Sequence, residues 1–259
     1  MGTVIAIANQ KGGVGKTTTS ISLGSSLARL GEKILLVDSD PQGNATSGLG
    51  FDRKAMKSCL YDLLIRGNEV EGVVRETAIP GLRLLPATIR LAGAEVELVS
   101  LMGREYRLKE SLKDQVSHYD FVFIDCPPSL GLLTVNALSF ADNILVPVQC
   151  EFYALEGLGQ LINTINAVKN YLNPKLQIFG VLLTMYDSRT NLSLQVAQEV
   201  QRAFGEKVFQ TIIPRNVRLS EAPSFGQPII LYDKDSSGAV AYINLAREVL
   251  QRDEQKKSR

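Results

Sequence analysis

The chain has 259 residues, of which 45% are hydrophobic, and its 28 Lys and Arg against 27 Asp and Glu leave a formal net charge of +1. Such a balance suits a soluble globular chain with ample core material. It excludes a uniformly basic nucleic-acid binder, so any DNA contact has to come from a local patch. Cys59, Cys126 and Cys150 form no CxxC pair, and His118 is the single histidine. A structural zinc site is therefore not expected, and the scattered thiols point to a reducing cytosol.

Thr3 to Ala8 is an apolar run of strand length. It runs into Asn9-Gln10-Lys11-Gly12-Gly13-Val14-Gly15-Lys16-Thr17-Thr18, which opens a helical pattern from Thr17 to Leu30 with Gly31 as its stop. Strand, glycine-rich turn and helix in that order make a phosphate loop. Glycines let the backbone wrap tightly and aim several N–H groups at one anion, and the helix N-terminus adds positive potential. Lys16 would reach the β- and γ-phosphates, and Thr17 would give its hydroxyl to Mg²⁺. The usual pattern has Gly where this chain has Gln10, so the loop is a variant with an additional Lys11 near its start.

Lys33 to Val37 reads as a second buried strand, followed by the turn Asp38-Ser39-Asp40-Pro41-Gln42-Gly43-Asn44. Two acids beside a phosphate loop would repel a nucleotide unless Mg²⁺ or water lies between. Leu82 to Leu85 is a short strand, and Arg104 to Val116 a charged surface helix. Phe121 to Ile124 is a third strand tipped by Asp125, a pattern that holds Mg²⁺, usually through water. Cys126, next in sequence, has no accompanying base and reads as a small buried hydrophobe.

Beyond it the pattern gives a helix over Leu130 to Ala141, a strand over Ile144 to Val148, and a long helix over Leu155 to Leu172. A strand over Ile178 to Leu183, a helix over Leu192 to Phe204 capped by Thr190 or Asn191, and a strand over Val208 to Ile213 follow. Ala239, Tyr242, Ile243, Ala246, Val249 and Leu250 mark one face of a last helix. Residues 1–259 are expected to form one domain with a short polar tail at about 251–259. Strands alternating with helices predict an α/β fold, a mostly parallel central sheet with helices on both faces, and ligands at the carboxyl ends of its strands.

The variant loop resembles the deviant Walker A loop of the ParA/MinD/nitrogenase-iron-protein superfamily of P-loop NTPases. The resemblance extends from Val4 to about Leu250 and is most specific over Ile213-Pro214-Arg215-Asn216-Val217-Arg218-Leu219-Ser220-Glu221-Ala222-Pro223, which is similar to ParA proteins of the Soj type. It implies a weak, Mg²⁺-dependent ATPase whose ATP-bound form is a homodimer. Lys11 would cross to the partner's nucleotide, and Gly12, Gly13, Val14, Gly15, Lys16, Thr17 and Thr18 would cradle the phosphates. Asp40 would position the attacking water, with Asp38 as its partner. Thr17, Asp40 and Asp125 would serve the metal, and Pro214 and Asn216, with Met185 nearby, the adenine.

The resemblance also implies non-specific double-stranded DNA binding through Arg189 and Arg218, a ParB/Spo0J-type partner, and a cytoplasmic, nucleoid-associated role in chromosome or plasmid segregation. Thr184 to Pro228 holds five Lys and Arg against four acids, so composition alone does not make that segment basic. A membrane-recruited regulator like MinD is the alternative. It would end in a basic amphipathic helix, whereas the chain ends Gln251-Arg252-Asp253-Glu254-Gln255-Lys256-Lys257-Ser258-Arg259, and no stable membrane anchor is expected. An iron–sulfur component would need cysteine pairs, and Cys126 and Cys150 both lie in segments that resemble the partition family.

Overall fold

In the computed structural model, which describes residues 2–151 and 156–258, alternating apolar residues of the first strand go to opposite faces of one sheet. Strand β1 (Thr3–Ile7) sends Val4 and Ala6 to one hydrophobic core and Ile5 and Ile7 to the other. The same split holds in β2 (Ile34–Asp38) and β5 (Phe121–Asp125), both buried from end to end. The other strands are β3 (Arg75–Glu76), β4 (Leu82–Leu85), β6 (Asn143–Gln149) and β7 (Gln177–Thr184). The seven strands lie in the order β3-β4-β2-β5-β1-β6-β7, all parallel except the short β3 at the edge. A parallel sheet with both faces covered requires strands this apolar.

The helices are α1 (Lys16–Arg29), α2 (Asn44–Gly48), α3 (Leu60–Leu64), α4 (Leu91–Glu97), α5 (Arg107–Leu112), α6 (Leu132–Phe140), α7 (Glu156–Tyr171), α8 (Asn191–Phe204), α9 (Val217–Glu221), α10 (Ile229–Tyr232) and α11 (Ser237–Lys257). Apolar residues of α1, α2 and α9 to α11 fill one core, and those of α3 to α8 fill the other. Thr190 caps α8 as expected, accepting the N–H of Ser193. The region expected to be one helix from Arg104 to Val116 is broken into two short 3₁₀ turns around α5. Leu155, the expected start of the long helix, lies outside the described residues.

Val208 to Ile213, expected as a strand, runs beside β7 without forming a ladder. It makes a single parallel bridge, Val181 to Val208. The N–H groups of Phe209 and Ile213 reach the carbonyls of Val181 and Leu183, while those of Gln210 and Thr211 turn the other way, each 2.9 Å from the Glu248 carboxylate on α11. Arg252, one turn further, pairs with Glu248 at 2.9 Å and donates to the carbonyl of Val208 at 2.8 Å. Helix α11 thus takes up the backbone groups that a neighbouring strand would have used.

The stretch read as a polar tail continues α11 through Lys257. Asp253 is buried there and accepts a hydrogen bond from the Thr3 hydroxyl at 2.9 Å, so the last turns are fastened to the start of β1. Among the described residues no helix is long and apolar enough to cross a membrane.

Candidate nucleotide site

The carboxyl ends of β1, β2 and β5 meet at the centre of the sheet, where Asp38 and Asp125 sit in register as neighbours. Between β1 and α1 the phosphate loop turns through Gly13 at φ 75° and Gly15 at φ 88°, a left-handed backbone that favours glycine. Gly15 is the N-cap of α1 and offers no side chain, so the first amides of the helix stay available to an anion. Asn9 braces the loop: its Nδ2 donates to the Pro147 carbonyl at 2.7 Å, and its Oδ1 accepts the Lys11 N–H at 3.0 Å. The Thr184 hydroxyl holds the other limb, donating to the Val14 carbonyl at 2.8 Å.

Lys16 is buried and its Nζ donates to the Lys11 carbonyl at 3.0 Å. Burial depresses its pKa, and the negative charges of Asp125 and Asp40 oppose that fall. Burial raises the Asp125 carboxyl to about 7, with the charge of Asp38 adding to the rise. The Ser20 hydroxyl donates to Asp125 Oδ1 at 2.8 Å, but the buried Oδ2 has no hydrogen-bond partner among the described residues. A buried, unpaired carboxylate oxygen is costly, and a cation held by Asp125 and the Thr17 hydroxyl would satisfy it. Among the described residues no three His, Cys, Asp or Glu side chains cluster as ligands. A cation here would complete its shell with phosphate and water oxygens, the coordination that Mg²⁺ favours.

Asp38 is buried too, and desolvation raises its carboxyl to about 6. Its Oδ2 accepts the N–H and hydroxyl of Thr46 at 2.8 and 2.7 Å, while Oδ1 accepts the Asp40 N–H at 3.2 Å. Asp38 therefore fastens the start of α2 and the backbone of Asp40. Asp40 in turn caps its own turn, accepting the Gln42 N–H at 2.8 Å, and its side chain lines the phosphate-loop cavity.

That cavity, about 430 Å³, is lined by Gly12, Gly13, Gly15, Lys16, Thr17 and Thr18 together with Asp40. A narrower one of about 170 Å³ adjoins it and shares Gly15, Thr18 and Met185. Met185, Pro214 and Asn216, the expected adenine contacts, all line the narrow cavity. Met185 has a backbone φ of 52°, the one positive value for a non-glycine among the described residues. The Asn216 side chain already works as the α9 cap, its Oδ1 accepting the Arg218 N–H at 2.8 Å and its Nδ2 donating to the Ser237 hydroxyl at 2.7 Å. One lone pair and one N–H remain for a base edge.

Cys126 is buried, with its thiol pushed up by desolvation, as a core residue should be. Sequence reasoning missed the site roles of Ser20, Thr46 and Thr184, and of Tyr242, which lines the narrow cavity. Of these only Ser20 carried a signal, since it falls one helical turn after Lys16 and so faces the same way.

Arg189 and Arg218 lie outside both cavities but on neighbouring segments, joined by the bridge from Tyr186 to Pro214. Each is tied to acid. Arg189 is exposed and bidentate with Asp187, at 2.7 and 2.9 Å. Arg218 pairs with Glu221 at 2.9 Å and with Asp233 at 3.5 Å.

The model of an AAA domain family matches residues 2–178. The chain is 58% identical to the sporulation initiation inhibitor protein Soj of Bacillus subtilis, over 96% of this chain and 98% of that one. It belongs to the ParA/Soj family of chromosome-partitioning ATPases. It is also 53% identical to the chromosome partitioning protein ParA of Caulobacter vibrioides, covering 99% of this chain and 97% of that one. Among solved structures, a protein described as cobyrinic acid a,c-diamide synthase from Mycobacterium smegmatis, with bound ADP and magnesium, superposes at a TM-score of 0.87. It shares 41% identity, over 100% of this chain and 97% of its own. The family membership and the fold agree with what the phosphate loop and the alternating elements imply, and they make a role in segregation the class of function.

Proposed function

We propose that the protein is a Mg²⁺-dependent ATPase that switches between monomer and ATP-bound homodimer, and that the dimer binds double-stranded DNA without sequence preference. The observation that carries the nucleotide part is the Asp125 Oδ2, without a hydrogen-bond partner among the described residues and buried close to Lys16 and Thr17. The relative from M. smegmatis, solved with ADP and magnesium, supports the same reading.

In this proposal the loop amides from Gly12 to Thr18 and the Lys16 ammonium hold the phosphates, and the narrow cavity at Met185, Pro214 and Asn216 takes the adenine. Thr17 and Asp125 hold Mg²⁺, with Asp40 close by. An ion held there would supply positive charge between the phosphates and the two buried acids. Asp40 orients the attacking water, and its own position is fixed through Asp38. Lys11 projects from the loop start to the partner subunit's nucleotide, where a second ammonium stabilises charge on the transferring phosphoryl group. Hydrolysis is slow and returns the dimer to monomers.

Arg189 and Arg218 form the DNA contacts, and dimerisation doubles their number on one molecule. A ParB/Spo0J-type partner speeds hydrolysis, and the protein acts at the nucleoid in the cytoplasm. The test is DNA retention measured with ATP, with ADP and without nucleotide. Retention confined to ATP is expected, and equal retention in all three conditions would remove the switch.

A further inference from the structure

At the amino-terminal edge of the sheet, opposite the phosphate loop, a cavity of about 500 Å³ opens between α5, the end of α6, the start of β1 and the last turns of α11. An adjoining hollow of about 440 Å³ shares Asp142, Asn143, Lys175 and Lys256 with it. The first is within the size range of small-molecule sites. Its walls carry five lysines, at 109, 113, 175, 256 and 257, and two acids, Asp142 and Asp253.

Both acids are occupied. Asp142 accepts the Val4 N–H at 2.9 Å, and Asp253 takes the Thr3 hydroxyl and pairs with Lys257 at 2.6 Å. Lys113 is held by Glu110 at 2.6 Å. Among the described residues Lys109 and Lys175 have no acidic partner within 4.0 Å, and Lys256 donates to the neutral Asn143 side chain.

Ser139, in the last turn of α6, lines this cavity and is 2% exposed, yet its hydroxyl has no hydrogen-bond partner among the described residues. Serines inside helices commonly return the hydroxyl to the carbonyl four residues back, as Ser25 does to Ile21. Ser139 does not, and an unpaired buried hydroxyl is destabilising. Lysines in the last turns of helices also neutralise helix carbonyl ends, but that role explains neither Lys175, in the turn before β7, nor Ser139.

We propose that this cavity is a second anion site, separate from the nucleotide site, that takes a small molecule carrying clustered phosphates. Lys109, Lys175 and Lys256 supply the charge and Ser139 donates a hydrogen bond.

Inorganic tripolyphosphate titrated by calorimetry into the full chain, with its phosphate loop first saturated by Mg-ADP, tests this. One additional site per chain is expected. The exposed pair Lys109→Ala and Lys175→Ala should weaken it at least tenfold without moving the melting temperature. Ser139→Ala should weaken it about fivefold, as the loss of one neutral hydrogen bond of about 1 kcal/mol implies. No additional site, or a site untouched by the double lysine change, overturns the proposal. A short DNA duplex separates free polyphosphate from backbone phosphate, and the double variant should keep parental DNA affinity. If it loses DNA while tripolyphosphate binding stays, the lysines serve DNA and the small-molecule site is wrong.

Discussion

Replacing Asp187 by Asn should tighten DNA binding by the ATP-bound form. Arg189 now spends its guanidinium on that acid, with Nη2 and Nε at 2.7 and 2.9 Å from the two carboxylate oxygens. The Asp187 carboxyl is held well below its usual range by those same hydrogen bonds, so it stays ionised at any working pH. A phosphate must therefore displace it. Exposed pairs of this kind are individually weak, and a dimer carries two, so releasing both should raise affinity by roughly twofold to tenfold. Asn keeps the Oδ1 that accepts the Arg189 N–H at 3.0 Å, so the turn survives. The number of phosphates contacted does not change, so the slope of log affinity against log salt should hold while the whole line rises. Fluorescence anisotropy with a labelled duplex, in ATP and across a salt series, reads both quantities, and light scattering checks that dimerisation is unaltered. Parental affinity for the Asn variant would refute the assignment of Arg189 to phosphate.

Lys16→Ala removes the ammonium nearest the expected phosphates, a charge-assisted contact worth about twice a neutral one. Calorimetry should show ATP affinity falling at least tenfold, and unchanged affinity would sink the phosphate-loop assignment. Asp40→Ala should leave ATP bound while phosphate release falls sharply and a long-lived dimer accumulates by size-exclusion light scattering. A parental hydrolysis rate would give that role to another residue. Glu248→Ala strands the N–H groups of Gln210 and Thr211 and frees Arg252, a loss of about 2 kcal/mol. Thermal unfolding should drop by roughly 4–8 °C, and a shift under 1 °C would show that α11 does not hold that segment.

The parts of the fold that sequence made legible are those whose signal is local. Strands β1, β2 and β5 have apolar cores, with β2 and β5 ending on an acid and β1 leading into the glycine-rich loop, so both their burial and their ligand-facing ends could be read directly. Val208 to Ile213 has the same apolar look, yet its pairing is decided by Glu248 and Arg252, about forty residues later. The short helices α2, α4, α9 and α10 have too few residues to show a period, and packing alone makes them helical. In the site, Lys16, Thr17 and Asp125 follow from spacing, whereas Thr184 and Tyr242 reach it only through tertiary contact. The pairing of Arg189 with Asp187 was within reach of the sequence, since the two are separated by one residue, and it changes what the arginine can be expected to do.

Met185 links the nucleotide cavities to the segments that bear the two arginines. It lines both cavities, and the next residue, Tyr186, forms the bridge to Pro214 that joins the segments bearing Arg189 and Arg218. A base in the narrow cavity would therefore press on the residues that lead directly to the proposed DNA contacts. The left-handed backbone at φ 52° costs a non-glycine residue about 1 kcal/mol. Met185→Gly relieves that strain but adds about the same cost in unfolded-chain freedom, so its melting temperature should stay within about 2 °C of the parent. Its ATP affinity should fall, because the side chain shared by both cavities is gone. DNA binding should fall further than ATP affinity alone explains, even when ATP is saturating. Unaltered ATP affinity would show that Met185 merely borders the cavities. A large fall in stability would make the side chain a packing element. Reduced ATP affinity with full DNA binding at saturation would sever the proposed link between base and arginines.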